Sequence, residues 1–303
     1  MQKVVEKSKT RAIVLTIAAV FFVLLVLVPL TFALFSTTTF GNVALIPVDG
    51  VITADGSSYF GRSTVSSQDI VGFLEEANDN IQIKAIVLEI NSPGGSPVAA
   101  DEIATAIKKS NKPVIALIRE VGASGGYWIA SATSYIIANK MSITGSIGVT
   151  SSYLEFSGLM EKYGVGYERL IAGKYKDLGT PFKKLSAEET EILNKKLATL
   201  HTFFIQEIAH NRHLQESDVR NLATGEFYLG SEALQLGLVD ELGDKHTAEE
   251  YLKQQYQLKD ISYARYEPKV GFLGLLRGVL SDFSFDAGEG FGSIFLQQQK
   301  ILT

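Results

Sequence analysis

A serine stands between two apolar stretches in the string Gly122-Ala123-Ser124-Gly125-Gly126. A serine hydroxyl is a weak nucleophile and needs a base to take its proton. Placed where a strand hands over to a helix, it gains the free N–H groups of the helix start, which stabilise negative charge as attack proceeds. The same placement also suits a serine that only caps the helix. Upstream, Asn91-Ser92-Pro93-Gly94-Gly95 ends another apolar run. Two glycines there expose backbone N–H groups with no side chain in the way. They could form an oxyanion hole worth about 3–4 kcal/mol in a transition state, or simply a tight turn.

The choice of base is narrow. The chain has no cysteine, which excludes disulfides, thiolate metal sites and a cysteine nucleophile. Its four histidines, His201, His210, His213 and His246, all lie in the last third, far in sequence from the glycine loops. His210 and His213 have i,i+3 spacing, but a metal needs further positioned ligands and no carboxylate pattern supplies them. A solvated helix face is expected there, and neither a metal nor a cofactor. Lysine is then the natural candidate, because burial disfavours an ammonium and leaves an amine that accepts a proton. Lys174 and Lys176 stand in the turn-rich segment Gly173–Pro181. On pattern alone each reads as a surface lysine, and spacing does not choose between them.

Asn42–Ile52, Lys84–Ile90 and Pro113–Ile118 are compact apolar runs rich in β-branched residues and read as strands. Ser67–Asn80 and Pro97–Ser110 carry apolar residues at helical spacing. Tyr127–Ala132 is expected to be helical, Tyr135–Ala138 a short strand, and Thr144–Val149 a lead-in to another. Strand, glycine turn and helix recur about every 30 residues, the length of one βαβ unit. This predicts an α/β domain with a largely parallel sheet, whose functional loops gather at the carboxyl ends of the strands. Leu154–Tyr163 is a candidate amphipathic helix and a candidate apolar groove wall. Ser186 opens a long helix to about Asn211, with Glu189 completing a capping box. His246–Gln257 also reads as a helix.

From Ala12 to Phe35 there is no charged residue. About 20 such residues span a bilayer as a helix. Lys3, Lys7, Lys9 and Arg11 precede the run, and no basic residue follows before Arg62. The positive-inside rule keeps residues 1–11 in the cytoplasm and places everything after Phe35 on the extracytoplasmic side of the cell membrane. A cleaved signal peptide normally has a shorter apolar region and a small-residue cleavage site, and Ala33-Leu34-Phe35 is a poor one. The expected organisation is a cytoplasmic tail (1–11), a transmembrane anchor (12–35) and a linker (36–41). A catalytic domain (42–269) and a tail of unassigned structure (270–303) follow. The formal charge of −5 and the lack of a basic stripe argue against a nucleic-acid partner.

Taken together and in order, five motifs resemble the signal peptide peptidase A (protease IV) family. They are Asn91-Ser92-Pro93-Gly94-Gly95, Ala123-Ser124-Gly125-Gly126-Tyr127, Thr144-Gly145-Ser146-Ile147-Gly148, Gly173-Lys174-Tyr175-Lys176-Asp177 and Gly237-Leu238-Val239-Asp240-Glu241. The resemblance covers roughly Asn42 to Leu252, in the family's short, single-repeat form. It implies a Clp-protease/crotonase-like fold of repeated ββα units and a serine endopeptidase with a Ser/Lys dyad. The family's nucleophile corresponds to Ser124, and its general base to Lys176 rather than Lys174. Its oxyanion donor corresponds to Gly95, assisted by Gly125, and the residue that orients the lysine to Ser146. The resemblance also implies a ring-shaped homo-oligomer in which neighbouring subunits can share a site, and substrates that are signal-peptide remnants and other hydrophobic segments at the membrane. Two alternatives compete. A crotonase-like hydratase would need paired carboxylates near the glycine loops, which this chain does not offer. A non-catalytic membrane scaffold would not need Ser124, Lys176, Ser146 and Gly95 together.

Overall fold

The computed structural model describes residues 14–27, 41–57 and 63–268. The chain divides into two units, Met1–Tyr266 and Glu267–Thr303, and the elements below belong to the first. The tail 270–303 lies outside the described residues. So does much of the 12–35 run, of which residues 14–22 are α-helical and Val23–Leu27 π-helical. Among the described residues no helix is long and apolar enough to cross a membrane.

Strands β1 (Val43–Asp49), β4 (Ala85–Ser92), β5 (Val114–Ala123), β6 (Tyr135–Ala138) and β9 (Glu241–Leu242) form the spine of an eight-stranded sheet. β10 (Tyr263–Arg265) closes one edge in the order β10-β1-β4-β5-β6-β9. All these pairings are parallel. β7 (Ile143–Gly145) pairs in parallel with the far end of β5, and β8 (Phe227–Leu229) pairs antiparallel with β7. β2 (Val51–Thr53) and β3 (Thr64–Ser66) form a separate parallel pair. The mixed α/β architecture with a parallel sheet fits the Clp-protease-like fold that the motifs imply.

Alternation along the strands sorts two cores. Ala44, Ile46, Val48, Ile86, Leu88, Ile90, Ala116 and Ile118 face one side of the sheet. Val43, Leu45, Val87, Ile115 and Leu117 face the other. Both faces of a parallel sheet must be covered, which is why these strands read as unbroken apolar runs. On the first side pack α1 (Ser67–Asp79), α2 (Pro97–Lys109), α3 (Gly125–Ser131) and the distal half of α5 (Ala187–Arg212), through Ile70, Leu74, Ile103, Phe204 and Ile208. α8 (Lys245–Tyr256) covers the second side with Ala248 and Leu252. Each fully buried Leu or Ile contributes roughly 1.5–3 kcal/mol relative to exposure. α4 (Ser157–Lys162), α6 (Glu216–Leu222) and α7 (Gly230–Gln235) are short connectors.

Four expectations from the sequence are corrected. β5 runs on to Ala123 instead of ending at Ile118, because its register against β4 shifts between Ile90 and Ser92 and its second half gains β7 as a partner. The Thr-Gly-Ser motif ends β7 and leads into no strand. The helix expected over Leu154–Tyr163 shrinks to Ser157–Lys162 and buries no side chain. The single strand expected over Asn42–Ile52 breaks at Gly50 into β1 and β2, which belong to different sheets. The remaining expected elements fall within a few residues, and the capping box of Ser186 and Glu189 closes in both directions.

Candidate active site

The shift in β5 decides where its carboxyl end points. Asn91 pins it, its amide donating to Asp49 Oδ1 at 3.0 Å and its Oδ1 accepting from Val121 N–H at 3.3 Å. Beyond this point the chain turns sharply at Ser124, with φ 53° and ψ −121°. Such a backbone costs a non-glycine residue on the order of 1–3 kcal/mol. Ser124 N–H donates to Gly145 O at 2.8 Å, which holds the turn against β7. Ser124 occupies the N-cap of α3, yet its side chain makes no capping hydrogen bond. The capping alternative therefore does not account for this serine, whose hydroxyl is left for another purpose.

The Pro-Gly-Gly turn lies alongside. Ser92 fixes it, donating to Gly50 O at 2.6 Å and accepting from Gly94 N–H at 3.1 Å. Gly94 has φ +99°, and a Cβ there would sit 2.7 Å from Gly125 N and 2.9 Å from Ser124 Cβ. Only glycine lets this strand end pass so close to the serine. Gly94 O and Ser96 N–H bond Ile52 at 2.9 Å each. In an extended segment successive residues aim their N–H groups to opposite sides, so the Gly95 N–H faces away from Ile52. Gly125 lies close by, since a Cβ added to it would sit 3.3 Å from Gly95 N. Gly125 opens α3, where N–H groups lack intrahelical acceptors. Ser124, Gly95 and Gly125 are thus brought together, and they line one cavity of about 590 Å³.

Ser146 joins from β7. It too has positive φ, 50°, and its Oγ donates to Gly225 O at 3.2 Å. Ser124, Ser146 and His201 line a second, smaller cavity of about 360 Å³. Lys176 lines neither cavity and is exposed. Its neighbours are all engaged: Lys174 Nζ pairs with Glu188 at 2.7 Å, Tyr175 hydroxyl donates to Glu188, and Asp177 pairs with Arg169. The Glu188 carboxylate pushes the Lys174 amine up from its ordinary value, so Lys174 stays charged. Of the side chains from Lys174 to Asp177, that of Lys176 alone has no hydrogen bond or ion pair among the described residues.

A model of peptidase family S49 matches residues 106–259. A Methanocaldococcus jannaschii protein named as a protease is 32% identical over 253 residues, which cover 81% of this chain and 79% of that one. The chain belongs to peptidase family S49. An Enterococcus faecium protein named as the signal peptide peptidase SppA is 34% identical over 230 residues, 75% of this chain and 67% of that one. Protease 4 of Haemophilus influenzae is 34% identical over 210 residues, which are 68% of this chain and 34% of that longer protein.

In this S49 peptidase the sequence reading missed the contribution of α5. The apolar wall beside Ser124 comes from Leu200, Phe203 and Phe204, with Trp128 stacked on Phe204 at 4.8 Å between ring centroids. Leu154, Leu159 and Tyr163, the expected groove wall, are exposed and line neither cavity. His201 was expected on a solvated face, but it is half-buried and its Nε2 is buried with no hydrogen-bond partner among the described residues. The available signal was the spacing Leu197, Leu200, His201 and Phe204 on one helix face. It was masked because the first half of α5 is mostly polar.

Proposed function

We propose that the chain is a membrane-anchored serine endopeptidase in which Ser124 is the nucleophile and Lys176 the general base. Neutral Lys176 takes the Ser124 Oγ proton as Oγ bonds to the scissile carbonyl carbon. The Gly95 and Gly125 N–H groups hold the resulting oxyanion. The C–N bond then breaks and the lysine ammonium returns its proton to the leaving amine. Water, deprotonated by the same amine, attacks the acyl ester. Release of the acid restores the Ser124 hydroxyl. Ser146 orients the lysine. The observation that carries this reading is the strained, uncapped serine beside the Gly95 N–H. The uncommitted amine of Lys176 supports it.

Because Lys176 is exposed and lines neither Ser124 cavity, the base reaches the serine from a neighbouring subunit of a ring-shaped homo-oligomer. The apolar wall of Leu200, Phe203 and Trp128 suits hydrophobic side chains, hence signal-peptide remnants and other apolar segments as substrates. The charge-free run 12–35 anchors the enzyme, with the catalytic domain on the extracytoplasmic side.

The test is complementation. Ser124→Ala and Lys176→Ala each abolish hydrolysis of an apolar fluorogenic peptide. Co-assembled at equal amounts, they recover activity, because random mixing in a ring pairs an intact serine with an intact lysine at about one interface in four. Full activity of either variant alone overturns the dyad. Two inactive variants that stay inactive when mixed overturn the sharing between subunits.

A further inference from the structure

The turn that carries Lys176 is built as a clamp. Lys176 N–H bonds Gly173 O at 3.1 Å, and Thr180 N–H bonds Asp177 O at 3.0 Å. Arg169 grips this turn from outside. Its Nε donates to Asp177 Oδ2 at 2.5 Å and its Nη2 to Asp177 Oδ1 at 2.8 Å. The same Nη2 reaches Lys174 O at 3.3 Å. One planar guanidinium therefore holds the backbone on one side of Lys176 and the carboxylate on the other. Two-point contact of this kind fixes orientation as well as distance, which a lysine cannot do.

The clamp is itself fastened to α5. Lys183 Nζ stands 3.8 Å from Asp177 Oδ1 and pairs with Glu189, whose other oxygen accepts Ser186 N–H at 2.9 Å in the capping box. Glu188, next in the first turn, holds Lys174 and Tyr175. Hydrogen bonds from Arg169 hold the Asp177 carboxyl down to about 2, and those from Lys183 and Ser186 hold Glu189 at about 2. These depressed values mean the pairing is fully present above the ordinary carboxylate range near 4 and is lost only as pH falls toward 2. Surface pairs taken singly contribute little. Here four charged side chains and a helix cap converge on a single turn.

We infer that Arg169 is a positioning residue for the reaction, forking onto Asp177 and Lys174 O so that the turn presents Lys176 to its serine. This rests on Lys176 being the base. Misplacing a reacting group by about 1 Å costs on the order of 100-fold in rate, so the effect falls on kcat.

The experiment uses the full-length, detergent-solubilised oligomer and an apolar fluorogenic peptide. Arg169→Gln lowers kcat by about 10- to 100-fold with KM and oligomer size little changed. Arg169→Lys, which keeps charge but loses the fork, falls in between. The exchange of Arg169→Asp with Asp177→Arg recovers most of the loss. Wild-type kcat in Arg169→Gln, or a loss that only tracks dissolved oligomer, overturns the inference. Lys176→Ala is measured alongside. If it is inactive while Arg169→Gln is normal, the positioning role alone fails. If Lys176→Ala is active, the base assignment fails and takes the positioning role with it.

Discussion

At Gly95 the requirement for glycine is steric, and it carries a kinetic consequence. A Cβ there would stand 2.0 Å from Ile52 O, a backbone atom that cannot swing aside. Gly95→Ala must therefore displace the turn and with it the N–H assigned to the oxyanion. Loss of one such donor costs about 10²–10³ in kcat, and that is the expected loss here. Gly125→Ala is the milder change, since its Cβ would meet Gly95 N at 3.3 Å. The expected order is a severe loss of kcat for Gly95→Ala and a smaller one for Gly125→Ala, with circular-dichroism melting to confirm that both variants fold. A folded Gly95→Ala with normal kcat removes Gly95 from the oxyanion hole. Ser124 poses the complementary case: it bears a side chain in a conformation that favours glycine. Strain kept at a serine whose hydroxyl caps nothing supports the nucleophile proposed at this strand-to-helix turn.

The elements that hold these residues meet at the Gly237–Glu241 motif, which is structural rather than chemical. Arg212, at the end of α5, forks onto Asp240 at 2.6 and 2.9 Å and also donates to Gly237 O. Asp240 accepts Ile136 N–H at 2.7 Å, and the buried Tyr127 of α3 donates to Leu238 O at 2.8 Å. The helix behind Ser124, the long helix lining its cavity and β6 are thereby joined. With 9% of the Arg212 side chain exposed, removing its partner leaves a nearly buried cation unpaired. Asp240→Ala is expected to destabilise the fold by about 3–5 kcal/mol, read as a lower urea midpoint. The pair of apolar substitutions Arg212→Met and Asp240→Leu recovers much of this. A midpoint unchanged in Asp240→Ala would show that the motif does not hold these elements. Most elements were legible in the sequence because their signals are local: β4 and β6 as apolar runs, Pro97 at the start of α2, Ser186 with Glu189 at α5. What escaped was set by distant partners. The continuation of β5 to Ala123 depends on β7, and the role of His201 and Leu200 depends on α5 crossing the Ser124 turn. The glycine motifs pointed to Ser124 and Gly95 while leaving a helix cap and a tight turn as rival readings, and no spacing rule separated Lys176 from Lys174. The family resemblance alone prefers Lys176, and the ion pair of Lys174 with Glu188 is a physical difference between the two that only the structure shows.

For the whole molecule, the segment between β7 and α5 poses the question of what covers it. Leu154, Leu159, Tyr163 and Leu170 all stand in solvent, Leu170 at 95% exposure. α4 buries none of its residues. Apolar groups concentrated on one segment mark an interaction surface rather than ordinary surface scatter. The same segment carries Lys176, whose proposed serine lies in cavities that it does not line. The contact between subunits proposed above answers both needs: it buries these side chains and delivers the amine. Assembly and catalysis are then a single property, and breaking the first must end the second. Leu154→Glu combined with Leu159→Glu places two carboxylates on that surface at exposed positions remote in sequence from Ser124, Gly95 and the Arg169 clamp. A carboxylate desolvated in an apolar interface is costly enough to prevent association. The double variant is expected to sediment as a folded monomer with wild-type far-UV circular dichroism and no measurable peptide hydrolysis. Raising its concentration restores neither size nor activity. A folded monomer that retains hydrolysis would place the complete dyad within one chain. A fully assembled, active variant would show that this surface faces something other than a second copy.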